Sequence, residues 1–196
     1  MGREPLGSNK RRTNQRGASN MGRFSRDIRR GLGIGHPPQV AAVCYRANGS
    51  SVEFLLVNTS SGKWTFPKGR LEVALSASES AAAEAWEEAG ARGAIEGESF
   101  GIYVDSKRSP VGSESAREIT VAAYLMEVHT AVMPQESGRN PCWFTPQEAK
   151  RRLSESRPEK YSETIHKIVD AAIHRISGFP VRAPFSSRPH QSAHLR

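Results

Sequence analysis

Read as alternating apolar and polar positions, the chain from residue 39 to residue 177 breaks into β-type and helical runs in mixed order. Gln39 to Ala47 and Val52 to Asn58 are rich in β-branched and apolar residues, and Asn48-Gly49 between them is a strong two-residue hairpin signal. Ser60-Ser61-Gly62 then turns the chain into a short strand, Lys63 to Phe66. There Trp64 and Phe66 alternate with polar neighbours and are expected in the core. A loop over Pro67 to Gly69 follows. Ala94 to Asp105 predicts a strand interrupted at Gly101, Glu118 to Val128 predicts another, and the polar segment 106–117 predicts a loop. Thr145-Pro146-Gln147-Glu148 is a capping box with proline at the first helical position, opening a short helix to about Glu155. Pro158 opens the last helix, whose stripe of Tyr161, Ile165, Ile168, Val169, Ala172, Ile173 and Ile176 predicts one face on the core and an end at Gly178. Strands and helices in this order predict an α/β fold of α+β type around a mixed sheet.

The clearest helix lies between the two groups of strands. Ser76 with Glu79 three residues on fits a capping box, alanines at 81, 82, 83, 85 and 89 favour the helix, and Gly90 suits its left-handed stop. Glu84, Glu87 and Glu88 stand at i, i+3 and i+4, so three carboxylates project from one face. Like charges so placed repel one another. They suit a solvated acidic surface, or they suit a divalent cation, since Mg2+ takes hard oxygen ligands together with substrate phosphates.

The surrounding spacing favours the second. From Gly69 onward the chain resembles the Nudix hydrolase signature, G-x5-E-x7-R-E-U-x-E-E-x-G-U with U apolar. Gly69, Glu84, Ala85, Glu87, Glu88, Gly90 and Ala91 fall in register, and Phe66-Pro67-Lys68-Gly69 resembles the family's preceding loop. Leu75 stands where the first glutamate is expected and Ala83 where the arginine is expected. Gly138-Arg139, Cys142-Trp143-Phe144 and the segment from Arg157-Pro158 to Ile165 more loosely resemble the diphosphoinositol polyphosphate and diadenosine polyphosphate hydrolase branch. The resemblance implies an α/β/α sandwich with a mixed sheet between helices.

Composition adds the appendages. The 196 residues, 37% apolar, suffice for one core with tails. The net charge of +8 is unevenly spread: residues 1–35 carry nine Lys/Arg against Glu4 and Asp27, and residues 178–196 carry three arginines and no acid, leaving the middle at −2. The expected organisation is therefore a basic tail over 1–35, a Nudix domain over 36–177 and a basic tail over 178–196. The N-terminal tail reads as a solubilising segment or as a non-specific polyanion contact. Two cysteines, no apolar leader and no long apolar run point to a cytoplasmic protein with no membrane span.

What the resemblance implies for chemistry is hydrolysis of a diphosphate linkage by water attack on phosphorus, with Mg2+ or Mn2+ as cofactor. It makes Glu84, Glu87 and Glu88 catalytic and metal-binding, with Glu84 a ligand or the general base, and gives a Gly69 carbonyl to the metal shell. Lys68, Arg70, Lys107, Arg108 and Arg117 become candidate contacts for a phosphorylated small-molecule substrate. Leu75 and Ala83 leave a second reading, a nucleotide- or polyphosphate-binding module with impaired catalysis. The basic tail leaves a third, an RNA-end pyrophosphohydrolase. An arginine at 83 would lie against Glu87 and offset the crowding; without it the acidic face depends more on bound metal.

Overall fold

The structure, a computed structural model, describes residues 39–48, 51–107, 117–155 and 157–178, the side chains of Asn48 and Lys107 excepted. Its elements are β1 (Gln39–Asn48), β2 (Ser51–Asn58), β3 (Trp64–Thr65), β4 (Lys68–Arg70), α1 (Ala77–Ala89), β5 (Ala91–Ile95), β6 (Gly101–Lys107), β7 (Arg117–Ala131), β8 (Cys142–Phe144), α2 (Pro146–Ser154) and α3 (Glu159–Ser177). The strands form one mixed sheet in the order β3-β2-β1-β7-β5. In addition β4 pairs with β1, β6 with β7 and β8 with β2.

β1 sits at the centre because both its edges are used. One edge carries β7 in parallel, from Gln39↔Val121 to Tyr45↔Glu127. The other carries β4 and then β2, both antiparallel, at Gln39↔Arg70 to Ala41↔Lys68 and at Tyr45↔Phe54 to Asn48↔Ser51. Both faces are covered as well, so Val40 to Cys44 is a continuous buried apolar run. Val40, Ala42 and Cys44 point to the α1 side, where they meet Ala81, Ala85 and Ala89. Ala41 and Val43 point to the opposite side, where α2 and α3 deliver Ala149, Leu153, Ile165, Ile168, Val169 and Ala172. The expected α/β/α sandwich is the architecture observed. Alanine at 81, 85 and 89, where α1 meets the sheet, lets its backbone lie close to the strands.

Several elements differ from the sequence reading. The loop expected over Pro67 to Gly69 is in part β4, because this stretch continues along the β1 edge where β2 leaves off. The strand expected from Ala94 to Asp105 is two strands, and its break falls at 96–100, ahead of Gly101. Both halves pair with β7, which is longer than expected at 15 residues and spans them end to end. Asn48 pairs with Ser51 as the last residue of the β1 ladder, and residues 49 and 50 lie outside the described residues. Thr145 caps α2 through the Glu148 amide as expected, but Glu148 turns its carboxylate to Arg151 and Arg152, so half of that capping box is used elsewhere.

The boundaries of α1 follow their signals. Ser76 and Glu79 form the reciprocal capping box, and Gly90 ends the helix at φ 63°. A Cβ on Gly90 would stand 2.1 Å from the Val132 carbonyl oxygen, so the position excludes side chains both by its dihedral and by space. Gly90→Ala is expected to lower the free energy of unfolding by about 2 kcal/mol or more. Urea denaturation measures it, and a loss below a few tenths would contradict this account of the helix end.

Candidate active site

The acidic face of α1 is pressed against the backbone of β4. Glu88 is 3% exposed, and its Oε2 accepts a hydrogen bond from the Lys68 amide at 3.1 Å. Glu84 lies across Gly69 so closely that a Cβ there would stand 1.6 Å from Glu84 Oε1. Glycine at 69 thus leaves the space that the Glu84 carboxylate occupies, and any side chain there would displace that carboxylate. The segment between β4 and α1 is tied to the helix by Ser80. Its hydroxyl accepts from the Glu72 amide at 3.1 Å and donates to the Ser76 carbonyl at 2.9 Å.

Crowding sets the electrostatics. Burial, reinforced by the negative charges of Glu88, Glu87 and Glu136, raises the Glu84 carboxyl from an ordinary 4.5 to about 7. Burial also raises Glu88, against which the nearby Arg139 guanidinium and the Lys68 amide act. Arg139 Nη2 stands 2.6 Å from Glu88 Oε1 and 2.6 Å from Glu136 Oε2. The three carboxylates therefore do not converge into one cage. Among the described residues no group of three or more His, Cys, Asp or Glu is arranged as a ready-made metal cage. What they offer is a strip of hard oxygen donors whose mutual repulsion a divalent cation would relieve, and in donor chemistry they fit Mg2+ or Mn2+. Glu79 cannot stand in for the glutamate absent at 75, since its carboxylate accepts the Ser76 amide at 2.7 Å in the helix cap.

A second charged cluster adjoins the first through Lys68. Asp105 on β6 is 3% exposed and takes three cations: Lys63, Lys68 Nζ at 3.8 Å and Arg157 Nε at 3.3 Å. Arg157 is itself buried and donates to the Trp64 carbonyl at 2.7 Å and to the Leu153 carbonyl. Burial alone would raise the Asp105 carboxyl, but Arg157, Lys68 and Lys63 overcome it and hold it at about 2. The same sharing explains Lys63: burial and Arg157 lower its ammonium by more than Asp105, one carboxylate divided among three cations, raises it.

The expected substrate contacts divide. Lys68 belongs to this cluster, reaching Asp105 and Gln39 Oε1, the latter at 3.3 Å. Arg70 is exposed on β4, two residues from Lys68. Lys107 and Arg117 pair across the end of the β6–β7 ladder, two register positions beyond Asp105. Arg108 lies outside the described residues. The sequence reading did not single out Lys63 and Asp105, nor assign Arg139 and Arg157 a role. Asp105 carries the only signal, an acid two residues after Tyr103 and so on the same, inward face of its strand.

A family profile described as NUDIX domain matches residues 35–165. No curated protein matches the chain in sequence. Among solved structures, an Ap4A hydrolase of C. elegans is similar at 18% identity, covering 74% of this chain and 100% of its own, with a TM-score of 0.54. The NUDIX domain of Shewanella oneidensis NrtR, solved with ADP ribose, is similar at 16% identity, covering 73% and 90% with a TM-score of 0.53. A NUDIX hydrolase from Nitrosomonas europaea gives 18% identity, 74% and 93% coverage and a TM-score of 0.51. At these identities the likeness concerns the fold.

Two stability measurements follow from the charges. The raised Glu84 carboxyl contributes stability that is present below its unfolded value near 4.5 and lost as pH rises through about 7. Metal-free Glu84→Gln should therefore match the parent at pH 5 and exceed it by about 1–2 kcal/mol at pH 8, after discounting for partial exposure. The depressed Asp105 carboxyl works the other way, with stability present above its unfolded value and lost as pH falls toward about 2. Asp105→Asn should cost about 3 kcal/mol at pH 7 by urea denaturation, because it strands the buried Arg157; a neutral effect would contradict the cluster.

Proposed function

The chain belongs to the Nudix family, and on that premise we propose that it is a divalent-metal-dependent hydrolase of a diphosphate linkage in a nucleoside-diphosphate-linked or polyphosphorylated small molecule. The observation that carries the proposal is the convergence of Glu84 and Glu88 on the Gly69 and Lys68 backbone, beside a buried cationic cluster. An acidic strip for a cation and a cationic rim for phosphates, joined at one residue, meet the needs of attack on a highly charged diphosphate.

Glu88, Glu87 and Glu84 would hold Mg2+ or Mn2+, with the Gly69 carbonyl a further ligand. When bound, such an ion neutralises phosphate charge and acidifies water. The residues do the rest. Glu84, whose carboxyl burial and neighbouring carboxylates raise, would serve either as one of these ligands or as the general base that takes a proton from the attacking water. Gly69 gives Glu84 room to lie against the strand, and the Lys68 amide fixes Glu88. Lys68 and Lys63, held by Asp105, set positive potential where the phosphate chain would run. Arg70 and Arg117, both exposed, would extend that potential outward, and Lys107 is a further candidate contact. We place the substrate among highly phosphorylated compounds of the diphosphoinositol or dinucleoside polyphosphate kind, because basic residues outnumber Asp105 in this cluster.

Purified protein assayed with dinucleoside polyphosphates, nucleotide sugars, inositol pyrophosphates and triphosphate-ended RNA should release phosphate-containing products from at least one small molecule, only with Mg2+ or Mn2+. Glu88→Gln should lower that rate by at least about 100-fold, as expected for loss of a group acting in the transition state, with unchanged far-ultraviolet circular dichroism. An unchanged rate contradicts the assignment. Ligand binding without turnover by the parent chain indicates a binding module instead.

A further inference from the structure

We infer that Arg139 is a tethered counter-ion for Glu88 in the metal-free protein, supplied by the loop before β8 where α1 carries Ala83, and that a divalent cation displaces it. The inference rests on the metal-binding reading above and concerns a residue which that reading does not use.

Four carboxylates meet at this end of α1: Glu84, Glu87 and Glu88 from the helix and Glu136 from the loop. The last turn of the helix contains no basic residue. Glu88 is 3% exposed, and a carboxylate so buried needs positive charge beside it as well as the bond from the Lys68 amide; the Lys68 ammonium acts on it too, but less than Arg139. Arg139 has the larger effect, with Nη2 2.6 Å from Glu88 Oε1. The guanidinium thus occupies the Glu88 oxygen that the Lys68 amide leaves, and a metal ion would compete for it.

The loop holds this arginine in a defined place. Gly138 and Asn140, on either side of it, both take left-handed conformations, φ 80° and φ 45°, which glycine and asparagine adopt most readily. Three backbone bonds dock the segment: the Val132 amide to the Gly90 carbonyl at 3.0 Å, the Glu136 amide to the Glu87 carbonyl at 2.9 Å, and the Asn58 amide to the Arg139 carbonyl at 2.6 Å. Glu136 braces the head group from the side, accepting from Arg139 Nε at 2.7 Å. The side chain nevertheless keeps 24% of its surface open, so it can leave without unfolding the loop. The backbone is fixed, the head group is exchangeable, and the contact is electrostatic.

The test compares the full chain with Arg139→Gln and Arg139→Lys, each stripped of metal with EDTA and titrated with Mn2+ by calorimetry and by thermal melting. Arg139→Gln should melt at lower temperature than the parent without metal, gain more from saturating Mn2+, and bind Mn2+ at least about threefold more tightly. Arg139→Lys, which keeps the charge, should resemble the parent. Failure of Arg139→Gln to fold in EDTA with recovery in Mn2+ would carry the same conclusion. Equal Mn2+ affinity and equal thermal gain in parent and Arg139→Gln would overturn the inference and leave the metal reading standing. A lack of Mn2+ binding by every protein would overturn both.

Discussion

The contact on which the rest of this structure depends is the close approach of the acidic face of α1 to the backbone of β4. The Glu84 carboxylate occupies the space where a side chain at Gly69 would begin, and Glu88 takes the neighbouring amide. Each preceding feature serves that approach. Small residues at Ala81, Ala85 and Ala89 seat the helix low on the sheet, and pairing with β1 fixes β4 as a strand. The cap at Ser76 and the stop at Gly90 set the register of the carboxylates along the helix. A helix carrying three glutamates on one face would ordinarily turn them to water. Here Glu88 lies on the same buried side of the helix as Ala81 and Ala85, so the packing of that side carries part of the charge inward.

Charge balance then explains the surroundings. The acidic strip gathers a cation, Arg139, and a buried acid on β6, Asp105, gathers Lys63, Lys68 and Arg157. Lys68 belongs to both, its amide on Glu88 and its ammonium near Asp105. An excess of negative charge thus adjoins an excess of positive charge through Lys68. Such a pair of unbalanced patches is costly for a structural core and suited to a substrate that brings its own cation and its own phosphates.

Most of the fold was legible because its signals are local. Capping residues, the apolar stripe of α3 and the buried run of β1 each depend on neighbours in sequence, and the glutamate spacing of α1 is fixed by helical geometry. What escaped was what depends on distant pairing. That Lys68 to Arg70 form a strand follows from the free edge of β1, roughly thirty residues away, and the split of β5 from β6 follows from their common partner β7. The charged partners escaped for the same reason. Arg157 lies between two helices and acts 52 residues from Asp105, and Arg139 meets Glu88 only because a loop docks on the helix end. Ala83 was visible as a missing guanidinium, but not the place from which another comes.

The central claim is that Glu84, lying against Gly69, forms a divalent-cation site together with Glu87 and Glu88 of the same helix face. Crystals grown with Mn2+ and measured for its anomalous scattering test this most directly. The account predicts a peak between the α1 carboxylates and the Gly69 carbonyl, with ligand distances of about 2.0–2.3 Å as hard oxygen donors give such ions. A Mn2+ peak elsewhere on the protein, with this strip empty at concentrations that support hydrolysis, would contradict it.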